Sequence, residues 1–484
     1  MPKLKFQKRL ISKVEYKTIY TAHLVLYLKG NMNTNFEESR IFTSDSVNSI
    51  SFDGFKRAVR TLEFDKILNM LADCAPFEGC IEVINSITPS VSRDFIVTMQ
   101  KQTTEARNLV NTKGTPSFGG IKDISNALFR AEKGACLNTL ELLSVADVLR
   151  AVSSVTGYFG QNITPDSSLY EFSSRLVPNK YLYESITNAV IGEDLISDTA
   201  TSELYDIRRK MKNAGSKAKD CLQRYVSGEY SKYLQENIIT MRNGRYVIPV
   251  RAEYKNEIKG LVHDTSSSGA TLFIEPMAVV EANNELRMLE IKEQAEIEKI
   301  LFHLTSEVSR FSDVLKIDYS ILCDLGVVFA KAELSFRMNG VSPIITSRKN
   351  IILKKARHPL LDKEKVVPID VSIGNGYSML IVTGPNTGGK TVTLKTLGLF
   401  SIMAQSGLHI PCDDGSVVPV FTNILADIGD EQSIEQSLST FSAHMVNIVD
   451  ILGKVTDTSL VLFDELGAGT DPIEGAALAE AILE

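Results

Sequence analysis

The sequence predicts a multidomain protein: an all-α core carrying a long two-helix arm with a small β-rich insert, followed by an α/β P-loop domain. Three observations predict it. Gly384-Pro385-Asn386-Thr387-Gly388-Gly389-Lys390-Thr391 satisfies G-x-x-x-x-G-K-[ST] between an apolar run and an amphipathic one. Two long stretches, 201–237 and 277–311, place apolar residues three and four apart, the helical period. Between them, strand-like runs flank Asn243-Gly244, a strong short-range hairpin signal.

Residues 1–57 form a basic and polar extension. Lys3, Lys5, Lys8, Arg9, Lys13, Lys17 and Lys29 are opposed only by Glu15 over the first thirty residues, and 31–56 is rich in Ser and Asn. Such composition reads as disordered linker; an organellar presequence or an early translation start reads the same residues. The apolar run Leu24–Leu28 is too short to cross a bilayer. Residues 58–200 read as a helical core, with Leu62, Phe64, Ile67, Leu68 and Leu71 on one face and a Gly/Pro loop at 113–120 dividing two helical groups.

Residues 201–237 read as an ascending helix. Leu204, Ile207, Met211, Ala214, Ala218, Cys221 and Tyr225 recur as a heptad seam. The expected partner is a descending helix from Met277 to Phe311, with Leu286, Leu289, Ile297, Ile300, Leu304, Val308 and Phe311 inward, followed by a return to the core by 345. Its length would be on the order of 50 Å. Charges complement: 208–224 carries seven basic side chains against one acidic, and 281–299 six acidic against three basic. Residues 238–276 between them read as four short strands, dotted by Arg242, Arg245, Arg251, Lys255 and Lys259. These are candidates for phosphate contact without base specificity, although Glu253, Glu257, Asp264 and Glu275 nearly cancel them.

From 346 to 484, strands alternate with helices, which predicts a largely parallel sheet. Tyr377–Thr383 reads as a buried strand and Thr391–Gln405 as the helix after the glycine loop. A loop of this kind turns backbone N–H groups toward phosphate oxygens at a helix N-terminus. Lys390 would reach the β- and γ-phosphates, and Thr391 would hold Mg²⁺. The apolar strand Ser459–Phe463 ends in Asp464-Glu465, 74 residues after Lys390. Asp464 is placed to bind Mg²⁺ and Glu465 to orient or deprotonate an attacking water, so ATP with Mg²⁺ is the expected cofactor set. Ser439-Thr440-Phe441 is either a second anion-binding helix start or a simple N-cap.

The net charge of −7 gives no bulk reason for nucleic-acid binding. The six cysteines and six histidines are scattered without metal-ligand spacing, so reduced, mostly buried thiols in a cytoplasmic protein are expected.

The glycine loop, Ser439-Thr440-Phe441, Asp464-Glu465 and Arg357-His358-Pro359-Leu360-Leu361 together resemble the ABC-type ATPase core of the MutS family. The arm and insert resemble that family's lever and clamp. Arg60–Leu68, Ser117–Ile121 and Ser268–Pro276 resemble the bacterial MutS-like branch that lacks the mismatch-reading and connector domains. The resemblance implies a homodimer through the ATPase domain, with Ser439 and Thr440 facing the partner's ATP and His358 in the nucleotide region. It implies clamping of branched or structured DNA that suppresses homologous recombination, or alternatively a ribosome- and rRNA-binding ATPase that splits stalled ribosomes, with no membrane partner. Set against the family pattern, Glu484 falls inside the helix after the acidic strand. The domain is therefore expected to be incomplete, with a C-terminal endonuclease domain lying beyond it. A third reading is a binding scaffold without turnover.

Overall fold

The computed structural model describes residues 24–27, 55–160, 163–385, 388–429 and 437–484, and for 24–27, 437–441 and 443 the backbone alone. In chain order the elements are β1 (Leu24–Tyr27), α1 (Lys56–Thr61), α2 (Phe64–Ala72), α3 (Gly79–Asn85), α4 (Arg93–Lys113), α5 (Ser125–Glu132), α6 (Thr139–Phe159), α7 (Tyr170–Arg175) and α8 (Lys180–Ala189). Next come β2 (Val190–Gly192), β3 (Leu195–Ile196), α9 (Ser202–Ser227), β4 (Thr240–Arg242), β5 (Arg245–Arg251), β6 (Gly260–Thr265), β7 (Thr271–Pro276), α10 (Met277–Arg310) and α11 (Ser312–Met338). The remainder is β8 (Ile344–Thr346), β9 (Ile351–Ala356), β10 (Ile369–Ile373), β11 (Met379–Val382), α12 (Lys390–Gln405), β12 (Val417–Pro419), β13 (Asn423–Asp427), α13 (Ser437–Lys454), β14 (Ser459–Phe463) and α14 (Pro472–Leu483).

The chain divides into two compact units, and the division differs from the linear partition the sequence suggests. One unit takes residues up to 120, 154–176 and 320–484; the other takes 121–153 and 177–319. The expected helical core at 58–200 is thus split. Its beginning joins the P-loop unit because Leu62, Phe64, Ile67 and Leu71 are fully buried there. Leu62 sits so close to Gly398 of α12 that a Cβ on that glycine would lie 2.5 Å from it.

In the P-loop unit the first sheet has the order β11-β1-β14-β13. Strands β13 and β14 are parallel, whereas β1 is antiparallel to both β11 and β14. The extension read as disordered therefore supplies one strand; the rest of 1–54 lies outside the described residues. All four residues of β1 are apolar or aromatic, the composition that suits a strand paired on both edges. The second sheet, β10-β9-β12-β8, is antiparallel except for β12 with β8. The expectation of a largely parallel sheet fails here because β9 and β10 are consecutive strands joined without a crossover helix.

Helix α12 is buried on every side from Thr396 to Gln405. Its polar end is satisfied internally. Gln405 donates to the carbonyls of Ser90 and Phe421, and Gln100 of α4 donates to those of Ala404 and Leu408. His409 just beyond is held by Ser335 at Nδ1 (2.8 Å) and Thr104 at Nε2 (3.0 Å).

In the other unit, α9 and α10 pack along their length. Thr201 caps α9 by accepting from the Leu204 N–H, and its hydroxyl donates to Glu296 of α10. The predicted seam holds at Leu204, Ile207, Ala214 and Ala218, then shifts by one residue to Leu222 and Val226 in place of Cys221 and Tyr225. An α-helix repeats every 3.6 residues, so a strict 3.5-residue heptad drifts off the buried face within a few turns. In α10, Leu286, Leu289, Ile300, Leu304 and Val308 are buried as expected, while Ile297, and Phe311 just past the helix end, are half-buried. The complementary charges do less than expected. Among the described residues, one ion pair joins the two helices, Arg208 to Glu293 at 2.7 Å.

The insert forms a sheet of order β4-β5-β7-β6. Arg242 pairs with Arg245 across a two-residue turn in which Asn243 and Gly244 both have positive φ, 51° and 73°. The β2–β3 hairpin inside the stretch read as all-helical was not foreseen; its strands are three and two residues long. Helix α6 is long and apolar enough to cross a membrane by length and composition alone, but half of that span is buried within the protein, as in a core helix. The cysteines are free, with three buried and Cys136 exposed, so fewer are buried than expected.

Candidate functional site

The P-loop and the acidic strand end meet in the structure. Strand β11 ends at Val382, and the chain turns through Thr383 and Gly384, the latter at φ 149°. The Gly388 N–H donates to the Pro385 carbonyl (2.9 Å), and Gly389 at φ 83° begins α12. A side chain at either positive-φ glycine would be strained. A Cβ built on Gly384 or Gly389 meets no atom within 4 Å, so open space lies over the loop. Asn386 and Thr387 lie outside the described residues.

Lys390 is 3% exposed, and its ammonium donates to the Gly384 carbonyl at 2.7 Å, curled back over its own loop. The next residue, Thr391, donates its hydroxyl to Oδ2 of Asp464 at 2.6 Å. This bond joins residues 73 apart in sequence. A hydroxyl and a carboxylate oxygen form a hard-oxygen pair that suits Mg²⁺, and the open glycine face suits phosphate. The residues present therefore fit Mg²⁺ and a nucleotide triphosphate.

Asp464 is buried at the end of β14, where its N–H donates to the Asp427 carbonyl (2.9 Å). Glu465 follows in the left-handed region (φ 50°), half-buried. Non-glycine residues rarely hold this conformation, which cants the second acid away from the strand direction. Beyond it, Gly467 and Gly475 approach so closely that a Cβ on Gly467 would lie 2.4 Å from the Gly475 carbonyl oxygen. Asp471 caps α14 by accepting from the Ile473 N–H, with Pro472 in the first turn.

A neighbouring cluster escaped the reading of the sequence. Asp427 ends β13 and Asp464 directly follows β14; Asp427 is buried with His444 Nδ1 at 2.8 Å and the Asn447 amide at 2.6 Å. The available signal was the repeated pattern of an apolar strand ending in an acid. Ser439 and Thr440 do not cap α13, which begins two residues earlier at Ser437; their side chains lie outside the described residues.

His358 falls between β9 and β10, 6% exposed, and its Nε2 has no hydrogen-bond partner among the described residues. Burial pushes its pKa down to about 4; Glu63 opposes that shift and Lys395 of α12 adds to it. His358 is therefore a neutral imidazole near neutral pH.

The five basic residues of the insert separate into two groups. Arg242 pairs with Asp264 (3.3 Å) and lies 4.1 Å over the Phe273 ring. Arg245 pairs with Glu275 at 2.8 Å and donates to Asn284. Glu275 is fully buried. Burial raises its pKa, but hydrogen bonds from Asn283, His263 and Arg245 outweigh that and hold the carboxyl below its ordinary value. Arg251, Lys255 and Lys259 are exposed and make no ion pair among the described residues. They remain available to an anionic partner.

The family described as MutS domain V matches residues 380–484. A protein named Endonuclease MutS2 from Acetivibrio thermocellus is 52% identical over 433 residues, covering 89% of this chain and 55% of the relative. Proteins of the same name from Ruminiclostridium cellulolyticum and Clostridioides difficile are 50% and 46% identical over 428 and 433 residues, covering 88% and 89% of this chain and 54% and 55% of their own. The chain thus spans about half the length of the curated relatives it matches. It belongs to the MutS family, in its MutS2 branch.

Proposed function

We propose that the chain binds and hydrolyses ATP with Mg²⁺, pairs with a second copy through its P-loop domain, and uses the cycle to clamp branched or structured nucleic acid. The bond from Thr391 to Asp464 carries this reading, because it brings the two halves of a nucleotide site to one point. Bound Mg-ATP would supply the phosphoanhydride and the cation that offsets its charge. Lys390 would exchange the Gly384 carbonyl for phosphate oxygens. Thr391 and Asp464 would hold the ion through their side-chain oxygens, and Glu465 would accept a proton from water at its carboxylate.

The exposed Arg251, Lys255 and Lys259 support a phosphate-backbone contact on the insert. Suppression of recombination follows if the partner is branched DNA; splitting of stalled ribosomes follows if it is rRNA. A competition between a four-way DNA junction and collided ribosomes separates these two.

The test of the nucleotide reading uses Glu465→Gln, in this chain and in this chain joined to the remaining length of a relative. ATP binding is expected to persist while turnover falls by about 10²–10⁴-fold. Lys390→Ala is expected to remove binding itself. Unchanged turnover in Glu465→Gln would overturn the role of that carboxylate, and absence of ATP binding in the extended chain would favour a scaffold.

A further inference from the structure

Where α9 ends, four tyrosines form a continuous ladder. Tyr225 and Tyr230 have ring centroids 5.0 Å apart at 35°, Tyr230 and Tyr233 are 6.4 Å apart, and Tyr233 and Tyr254 are 5.2 Å apart. Three of these rings have a packing role. Tyr225, Tyr233 and Tyr254 lie against the cluster formed by Leu222, Val226, Leu234 and their neighbours. Tyr230 does not belong to that set and is 43% exposed. Its ring stacks against those of Tyr225 and Tyr233.

Beside Tyr230 opens a pocket of about 250 Å³, lined by Cys221, Arg224, Tyr225, Tyr230 and Ala278. Arg224 is its only charged lining residue, exposed and without an ion pair among the described residues. The Lys232 ammonium stands 5.0 Å from the Tyr233 ring centroid, farther along the ladder. Two exposed acids lie close in sequence, Glu229 beside Tyr230 and Asp220 four residues before Arg224, and neither lines the pocket.

An apolar side chain of a protein partner would fill such a pocket but leave the guanidinium unanswered. A nucleotide answers both, since it joins a flat π-face to a phosphate. We propose that this pocket takes one unpaired nucleobase of a single-stranded DNA or RNA segment, stacked on Tyr230 with its phosphate against Arg224. This rests on the reading of structured nucleic acid above and adds the feature recognised: an unstacked base at or near a branch. Stacking is tolerant of base identity, so the pocket selects strand character and not sequence.

The experiment measures binding of the chain to a fully paired four-way junction and to the same junction bearing a single-stranded tail, of DNA in one arm and RNA in another. The wild type is expected to prefer a tailed junction, and the better tail identifies the source. Tyr230→Ala is expected to weaken binding of the tailed junction by about 5- to 150-fold with little change on the paired one. Tyr230→Phe is expected to retain the preference, because it keeps the ring. Arg224→Ala is expected to reduce the salt slope by about one. Equal losses on both junctions in Tyr230→Ala, or no loss on either, would overturn the assignment. If the wild type binds the paired junction but gains nothing from a tail, the pocket assignment fails and the clamp reading stands. If it binds neither, the nucleic-acid reading fails with it. Because Tyr230 lies outside the packed cluster, an unchanged melting temperature in Tyr230→Ala should accompany the expected result.

Discussion

Helices α9 and α12 have similar local regularity but opposite relations to their surroundings. In α9 a single stripe is buried, from Leu204 through Ala214 to Val226, and the remaining faces are charged. In α12 every residue from Thr396 to Gln405 is buried, polar Gln405 included. A one-sided helix needs one partner and announces its period in the sequence. A helix buried all round depends on several neighbours at once, here Leu62 and Gln100 from more than 290 residues earlier and Leu462 from the acidic strand. The pairing of α9 with α10 is thus built from a seam, and α12 from a surround.

The largest expected effect tests the polar centre of the insert sheet in the arm's unit. Glu275→Ala leaves Arg245 without its buried partner and removes acceptors from Asn283 and His263. A destabilisation of about 3–5 kcal/mol is expected, read by denaturant unfolding of that unit. A value under about 1 kcal/mol would mean the insert is held by its apolar cluster alone.

Acid should then separate the two units. His358 and His409 in the P-loop unit are both pushed down to about 4 by burial, with Arg107 adding to the shift at His409. A base depressed in the folded state stabilises fully above its unfolded value of 6.5, and that contribution is lost as pH falls toward 4. Between pH 6.5 and 5 each should cost about 2 kcal/mol. Asp318 in the other unit runs the opposite way: burial raises it from 3.8 to about 6, so its contribution is present below 3.8 and lost as pH rises through 6. Hydrogen exchange at pH 7 and pH 5 should show protection falling in 320–484 while 177–319 holds. Parallel loss in both units would contradict this assignment.

The smallest effect sharpens the idea of a surround. A Cβ at Gly398 would lie 2.5 Å from Leu62 and 2.6 Å from Leu462. Gly398→Ala should cost about 1–3 kcal/mol through overpacking, despite alanine's better helix propensity. A gain in melting temperature would show that the surround yields.

Much of the candidate site was legible because its chemistry is carried by short segments. Thr391 of the glycine loop and Asp464 after the acidic strand, singled out 73 residues apart, are in hydrogen-bond contact. The Asn243-Gly244 hairpin and the first four turns of the α9 seam were legible for the same reason: each is a local pattern with a fixed geometry. The one-residue shift to Leu222 and Val226 was not, because a count of heptads ignores the accumulated drift of a 3.6-residue turn. Nor could charge counts reveal that Arg245 is bound to Glu275 while Arg251 stays exposed, since partner choice depends on which face of the sheet each residue meets.

By itself, the sequence determined the periods, turns and caps: a helical seam, a two-residue hairpin, a phosphate-type loop, and a strand ending in acids. Each follows from interactions among residues a few positions apart, where backbone geometry leaves little choice. Only the tertiary structure decided that β1 lies between β11 and β14, that residues 55–120 belong with the P-loop, and that Asp427 is joined by His444 and Asn447. Those choices minimise exposed apolar surface and unpaired backbone over the whole chain, and no local window of sequence contains the competing partners among which they were made.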